Sequence, residues 1–103
     1  MHSSTHKLLD HSGEGIIGFN IDLIIDYVNV AASTMLTAEV EDLIGTSIKE
    51  IMHKKMSEDA WWQSDFVLNF LEGQNAHIDS ATFWRPSGDF FPVSFTETVI
   101  IED

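Results

Sequence analysis

Hydrophobic and polar positions alternate at two places in this chain and recur at helical spacing between them. In Gly15-Ile16-Ile17-Gly18-Phe19-Asn20-Ile21, alternation puts Ile17, Phe19 and Ile21 on one face of a strand and Gly18 on the other. Leu23 to Val28 reads as a second strand, and the turn residues Asn20-Ile21-Asp22 make the two an antiparallel hairpin. Asn29 can accept a backbone N–H and start a helix through Ala31, Ala32, Met35 and Leu36. Thr37 and the stretch from Ala38 to Leu43 start a further turn, which Gly45 ends. From Thr46 or Ser47 a third helical stretch sets Ile48, Ile51 and Met52 at i, i+3 and i+4, one buried stripe. Lys54 and Lys55 near its C-terminal end complement the helix dipole.

Ser57 caps the longest predicted helix, with Glu58 and Asp59 in its first turn and Gly73 beyond Leu71 and Glu72. Trp62, Phe66 and Phe70 recur at i+4, flanked by Val67 and Leu71, so a wide apolar face packs on a sheet and Trp61 lies off it. His77 to Arg85 and Asp89 to Ile101 form a second hairpin around Pro86-Ser87-Gly88. At the other end, Thr5 caps a short helix through Lys7, Leu8, Leu9 and Asp10 that ends near Gly13. This order predicts an α+β fold, an antiparallel sheet with short helices on one face.

At 103 residues the chain holds one domain, with residues 1–13 as an N-terminal cap segment. Hydrophobic residues make up 44 %, including seven Phe and three Trp, enough for a packed core. Seventeen acidic residues against five Lys and Arg give a net charge of -12, which repels phosphate backbones and anionic lipid. Nucleic acid and direct membrane contact are therefore excluded as expected partners. No apolar run approaches the ~20 residues of a membrane span, and a cytoplasmic location is expected. There is no cysteine, so disulfides, thiolate metal sites and cysteine nucleophiles are absent.

Four blocks stand in order: Leu8-Leu9-Asp10 with Gly15-Ile16-Ile17-Gly18-Phe19; Tyr27-Val28-Asn29 with Ala31-Ala32; Leu43-Ile44-Gly45 with Ser47-Ile48; and Phe83 to Val93. Together they resemble a PAS domain over nearly the whole chain. Two positions depart from the family pattern: Leu23 stands where a turn glycine is expected, and Ser87 replaces the usual Asp before Gly88. The resemblance implies a five-stranded antiparallel sheet whose helical face can enclose a small ligand. It also implies a regulatory sensor in a bacterial-type signalling protein, such as a two-component sensor kinase or a diguanylate cyclase, with the output domain outside this chain.

In that family the final strand lies centrally, between the first and fourth, and this chain lacks it. Open edges there are costly, so the resemblance implies one of three remedies. The strand Asp89 to Ile101 pairs directly with Gly15 to Ile21, a second copy donates a strand, or a swapped segment closes the sheet. A homodimer is expected, and Leu8 and Leu9 of the N-terminal helix offer an apolar patch for it.

The candidate ligand cavity is lined by Phe19, Met35, Ile51, Met52, Trp62, Phe66, Phe70, Val93, Phe95 and Glu97. Glu97 is the most informative of these, because alternation places it with Phe91, Val93 and Phe95. It is either a polar anchor for a ligand or is turned to solvent by a bulge or strand edge. The aromatic helix either lines a cavity or simply packs on the sheet. The cysteine-based flavin photoadduct of the light-sensing branch has no residue to form it here. Haem and a non-covalently held flavin stay open as cofactors; a haem would use His53, which is otherwise a solvated helix-end residue. An acid–base pair of Glu97 or Asp79 with His53 or His77 would suit proton transfer, but no spacing favours it. Without a phosphate loop, metal-binding histidine pair or nucleophile elbow, no catalytic or metal site is expected, and the chain reads as regulatory. The two functional readings are a ligand-binding or signal-relaying sensor and a ligand-free dimerisation module of the same fold.

Overall fold

Asn20 makes the first turn with its side chain: Oδ1 accepts from the N–H of Asp22 at 2.9 Å and of Ile24 at 3.2 Å. The computed structural model describes the backbone of residues 3–10 and 15–102 and the side chains of residues 15–98. Around this turn run β2 (Ile16–Phe19) and β3 (Ile25–Val28), preceded in the chain by β1 (Ser3–Asp10). Leu23 has a φ of 63°, in the left-handed region, at the place where the resemblance expects glycine. That conformation costs roughly 1–2 kcal/mol. Leu23 is 1 % exposed, and burying a leucine returns a similar amount, roughly 2 kcal/mol. Ile21, expected on the strand face, lies in the turn and is 67 % exposed.

Asn29 closes the hairpin and opens the next element: its Oδ1 accepts from both Ile16 N and Ala32 N at 2.9 Å. The helices α1 (Val30–Leu36), α2 (Val40–Leu43) and α3 (Lys49–Met52) follow. The segment between α2 and α3 is laced to the edge of β3, since Gly45 N donates to Ile25 O and Ile25 N to Thr46 O, each at 2.8 Å. Gly45 holds a φ of 92°, which only glycine adopts freely. Ile48, Ile51 and Met52 are buried as their spacing predicts.

The single long helix expected from Ser57 is two helices, α4 (Glu58–Trp62) and α5 (Asp65–Leu71). Ser57 caps α4 through Ala60 N at 3.1 Å. Ser64 makes the break: its Oγ donates to Trp61 O at 2.7 Å and accepts from Val67 N at 3.4 Å, so it caps a fresh helix start. The break shifts the helical phase. Trp61, expected off the apolar face, is 1 % exposed and stacks on Phe66 at 5.6 Å, whereas Trp62 is 50 % exposed.

β4 (Ala76–Trp84) and β5 (Phe90–Glu102) form the second hairpin. Gly88 N donates to Arg85 O and Arg85 N to Asp89 O, each at 2.9 Å, and Gly88 supplies the positive φ that the turn needs. Arg85 ties this turn to the helices through Nε to Met35 O at 2.9 Å.

The sheet order is β3-β2-β1-β5-β4, antiparallel throughout. The N-terminal segment is thus a central strand, not a helix. Its short helix would be marginal alone in water, while the edges of β2 and β5 offer hydrogen bonds on both sides. Leu8 pairs with Ile17 on one side and Glu97 on the other. The strand from Phe90 does not pair directly with β2; a segment of the same chain stands between them. The side chains of Leu8 and Leu9, proposed for self-association, lie outside the described residues. The helices cover one face of the sheet, over a core that includes Phe19, Leu23, Ile25, Trp61 and Phe95.

Candidate functional site

Across β4 and β5 the core-facing pairs are Ala76 with Glu97, Ile78 with Phe95, Ala81 with Val93 and Phe83 with Phe91. Two of the four β4 positions are alanine, so the sheet floor beside Glu97 and Val93 is left low. Over this floor stands α5, only seven residues long. The space between is a cleft of about 630 Å³. Met52, His53, Asp65, Phe66 and Asn69 line it from the helical side; Ala76, Ile78, Ala81, Phe83, Trp84, Phe90, Phe95 and Glu97 line it from the strands.

Its walls are aromatic and interlocked. Phe83 packs on Phe95 at 5.4 Å, Trp84 on Phe90 at 4.9 Å, and Phe66 on both Trp61 and Phe19, at 5.6 and 6.0 Å. Such tilted and stacked pairs hold ring orientations as well as burying area.

Glu97 is 0 % exposed. The register irregularity of this hairpin falls between Ile78 and Ala81 on the partner strand, so Glu97 keeps its inward phase instead of turning to solvent. Burial disfavours the charged form and pushes its pKa from 4.5 up to about 7. His53 is the C-cap of α3, half-buried, its ring 5.9 Å from Trp61. Burial, and then the positive charge of Lys49, hold its pKa below the ordinary histidine value.

Of the ten residues expected to line a cavity, Met52, Phe66, Phe95 and Glu97 line this cleft. Phe19 and Phe70 pack behind Phe66, and Val93 is in the core. Ile51 lines a different cleft, of about 850 Å³, between α1–α3 and the tip of the second hairpin. Met35 lies against Gly15, where an added Cβ would collide with its Cε. Trp62 points away, for the reason given above. Sequence reasoning missed Asn69, Ala76, Ala81 and Phe83; the signal that could have found them is alanine at inward positions of an edge strand facing large residues.

His77 and Asp79 lie on the other face of the sheet, paired at 2.6 Å in the open, with His77 Nδ1 2.9 Å from Thr96 Oγ1. Neither reaches Glu97, so the acid–base pairing across the cavity does not form with them. A haem or flavin nucleotide brings propionates or phosphate. Among the described residues, no Lys or Arg lines the cleft, and the nearest cation to its aromatic wall is Lys55, whose Nζ stands 5.3 Å over Trp84. No helix of the described residues is long and apolar enough to cross a membrane.

No family model matches the chain, and no curated protein matches it. Among solved structures it is similar to the blue-light activated histidine kinase of Erythrobacter litoralis EL346. The identity is 14 % and the TM-score 0.55, over 95 % of this chain and 35 % of the kinase chain. That likeness, with the five-stranded antiparallel sheet and the helices on one face, makes the fold PAS-like.

Proposed function

We propose that this chain is a regulatory sensor module that takes a small molecule into the aromatic cleft and passes the change to an output domain elsewhere in its parent protein. The observation that carries this reading is the cleft itself, with aromatic walls and a fully buried carboxyl at its floor. Ligand sites are commonly apolar pockets with a few convergent polar groups. β5 supports the relay, since it carries Phe95 and Glu97 at the cleft floor and also forms a central ladder with β1. In this reading the chain regulates and does not catalyse.

The test is purification followed by extraction. A small molecule released on denaturation, or a compound that raises the melting temperature of wild type and not of Phe66→Ala, is the expected result. Empty extracts together with no shift across a broad metabolite panel would remove the ligand and leave the second reading, a ligand-free dimerisation module. That second reading draws on the exposed apolar residues Trp62, Leu68 and Leu71 along α4 and α5. Sedimentation of wild type against Leu68→Asp/Leu71→Asp tests it; a monomer in both cases would sink it.

A further inference from the structure

We propose that the outer edge of β4 takes an extended peptide of a partner protein as an added strand, one in which Lys or Arg alternates with apolar residues. The two edges of the sheet differ. The edge of β3 is closed by its own chain: Gly45 N donates to Ile25 O, Ile25 N to Thr46 O and Ile48 N to Leu23 O, at 2.8 to 2.9 Å. β4 ends the sheet on the other side, and among the described residues no segment outside its hairpin makes a backbone bond to it between Ile78 and Trp84. Of its nine residues only Phe83 is buried. Natural edge strands are commonly blunted by Lys or Pro, and β4 has neither. Its bulge between Ile78 and Ala81 divides the edge and leaves Ala81 to Trp84 as the regular run.

The aromatic cleft reaches this edge. Successive residues of a strand face opposite sides, so a cleft over one face alone would be lined by every second residue. Here Ser80, Ala81, Thr82, Phe83 and Trp84 all line it, so the cleft wraps from the covered face of the sheet around the backbone of β4. A strand laid along Ala81 to Trp84 turns alternate side chains toward the mouth of the cleft, where Ile78 is 39 % and Phe90 62 % exposed. The others turn toward the opposite face, where Asp79 stands in the open. Apolar residues suit the first set and cations the second. The charge of the surroundings agrees: from Met56 to Trp84 the chain carries Glu58, Asp59, Asp65, Glu72 and Asp79 and no Lys or Arg. Lys55 stands over Trp84 at the far end of the run, so the cations of the peptide belong at the Asp79 end. A second copy of this chain is a poor occupant, because it brings a net charge of -12 and its own Asp79 to the pairing.

Three end-blocked peptides test this on the 103-residue chain: alternating Val and Lys, alternating Val and Glu, and the Val–Lys sequence methylated at every backbone nitrogen, which keeps the charge and removes the pairing N–H groups. Binding is read by calorimetry and by hydrogen exchange of the backbone amides. The Val–Lys peptide is expected to bind at least about tenfold tighter than either of the others. It should slow exchange between Ala81 and Trp84 and leave β3 unchanged. Thr82→Lys, at an exposed position of the run, should weaken the Val–Lys peptide by about tenfold or more. Equal binding of the methylated peptide would overturn the inference, since charge alone would then account for the complex. Equal binding of the Val–Glu peptide, protection confined to α4 and α5, or an unweakened Thr82→Lys would overturn it too. Should Thr82→Lys lose its cooperative melt, the methylated peptide and the exchange pattern decide without it. No binding by any of the three also overturns it, and leaves the small-molecule reading, which uses the interior of the cleft, standing.

Discussion

The cleft bounded by α1–α3 is larger than the aromatic cleft, about 850 Å³ against about 630 Å³. Its polar groups are engaged with its own backbone: Ser33 Oγ donates to Ala38 O, and Thr46 Oγ1 to Leu43 O at 2.8 Å. Glu39, Asp42 and Lys54 line it among hydroxyls, so a guest there exchanges contacts with water for similar contacts with protein. The smaller cleft offers ring faces and a carboxyl shielded from solvent, contacts that water cannot match. Volume therefore does not rank the two as ligand sites; the difference between wall and water does.

Truncating the floor of the smaller cleft has the largest expected effect. Phe95→Ala, at a residue 2 % exposed and packed on Phe83, is expected to cost about 3–5 kcal/mol in denaturant unfolding. Thr34→Ala in the larger cleft should stay within about 0.5 kcal/mol. Equal losses would mean that the two clefts are supported alike.

A pH series sharpens the contrast further. The pKa of Glu97 is raised on folding from 4.5 to about 7, so between these values the folded state holds a proton that the unfolded state has released. Its contribution therefore favours folding least at high pH: stability falls as pH rises through that window, by roughly 3 kcal/mol, and is flat in this respect above it. Glu97→Gln should remove that fall. A wild-type protein whose stability rises over the same range, or a variant with the same slope, would place the buried acid elsewhere.

The smallest effect is expected at the helix break that turns Trp61 inward. Ser64→Ala removes a cap and should cost about 1 kcal/mol. A shift of tryptophan emission toward longer wavelength would accompany it as Trp61 loosens over Phe66. Unchanged emission and stability would show that the phase shift does not depend on the serine.

What the sequence made legible was whatever one or two neighbouring residues decide. Asn29 announced a helix start because its side chain reaches N–H groups close by in the chain, and it does so here. Pro86-Ser87-Gly88 announced a turn for the same reason. Leu23 stands out in the sequence as an odd residue in a turn, and its backbone is left-handed there. The inward phase of Glu97 followed from strict alternation and held because the irregularity fell on the opposite strand. The misreadings came from competition between local and distant partners. Trp62, Phe66 and Phe70 fit one continuous helix, and the hydroxyl of Ser64, which donates to Trp61 O and accepts from Val67 N, interrupts it. Thr5 to Asp10 contains a plausible cap and helix formers, but its partners are strands far along the chain, and no local pattern reports that. The cleft was half visible: its large residues could be named, while the alanines that make room for it drew no notice.

The position of β1 also has a consequence in time. Ser3 pairs with Glu102 and Asp10 with Phe95, so the central ladder joins segments from opposite ends of the sequence. The hairpins β2–β3 and β4–β5 need only short loops to close and can form within microseconds. The ladder between them must wait until nearly everything in between is ordered, because its closure entropy is repaid only by contacts made at the end. The middle of the sheet is thus the last part to assemble, and folding should be slow for a chain of this length. Until β1 docks, the edges of β2 and β5 stay open, and in that interval a neighbouring chain can compete for them.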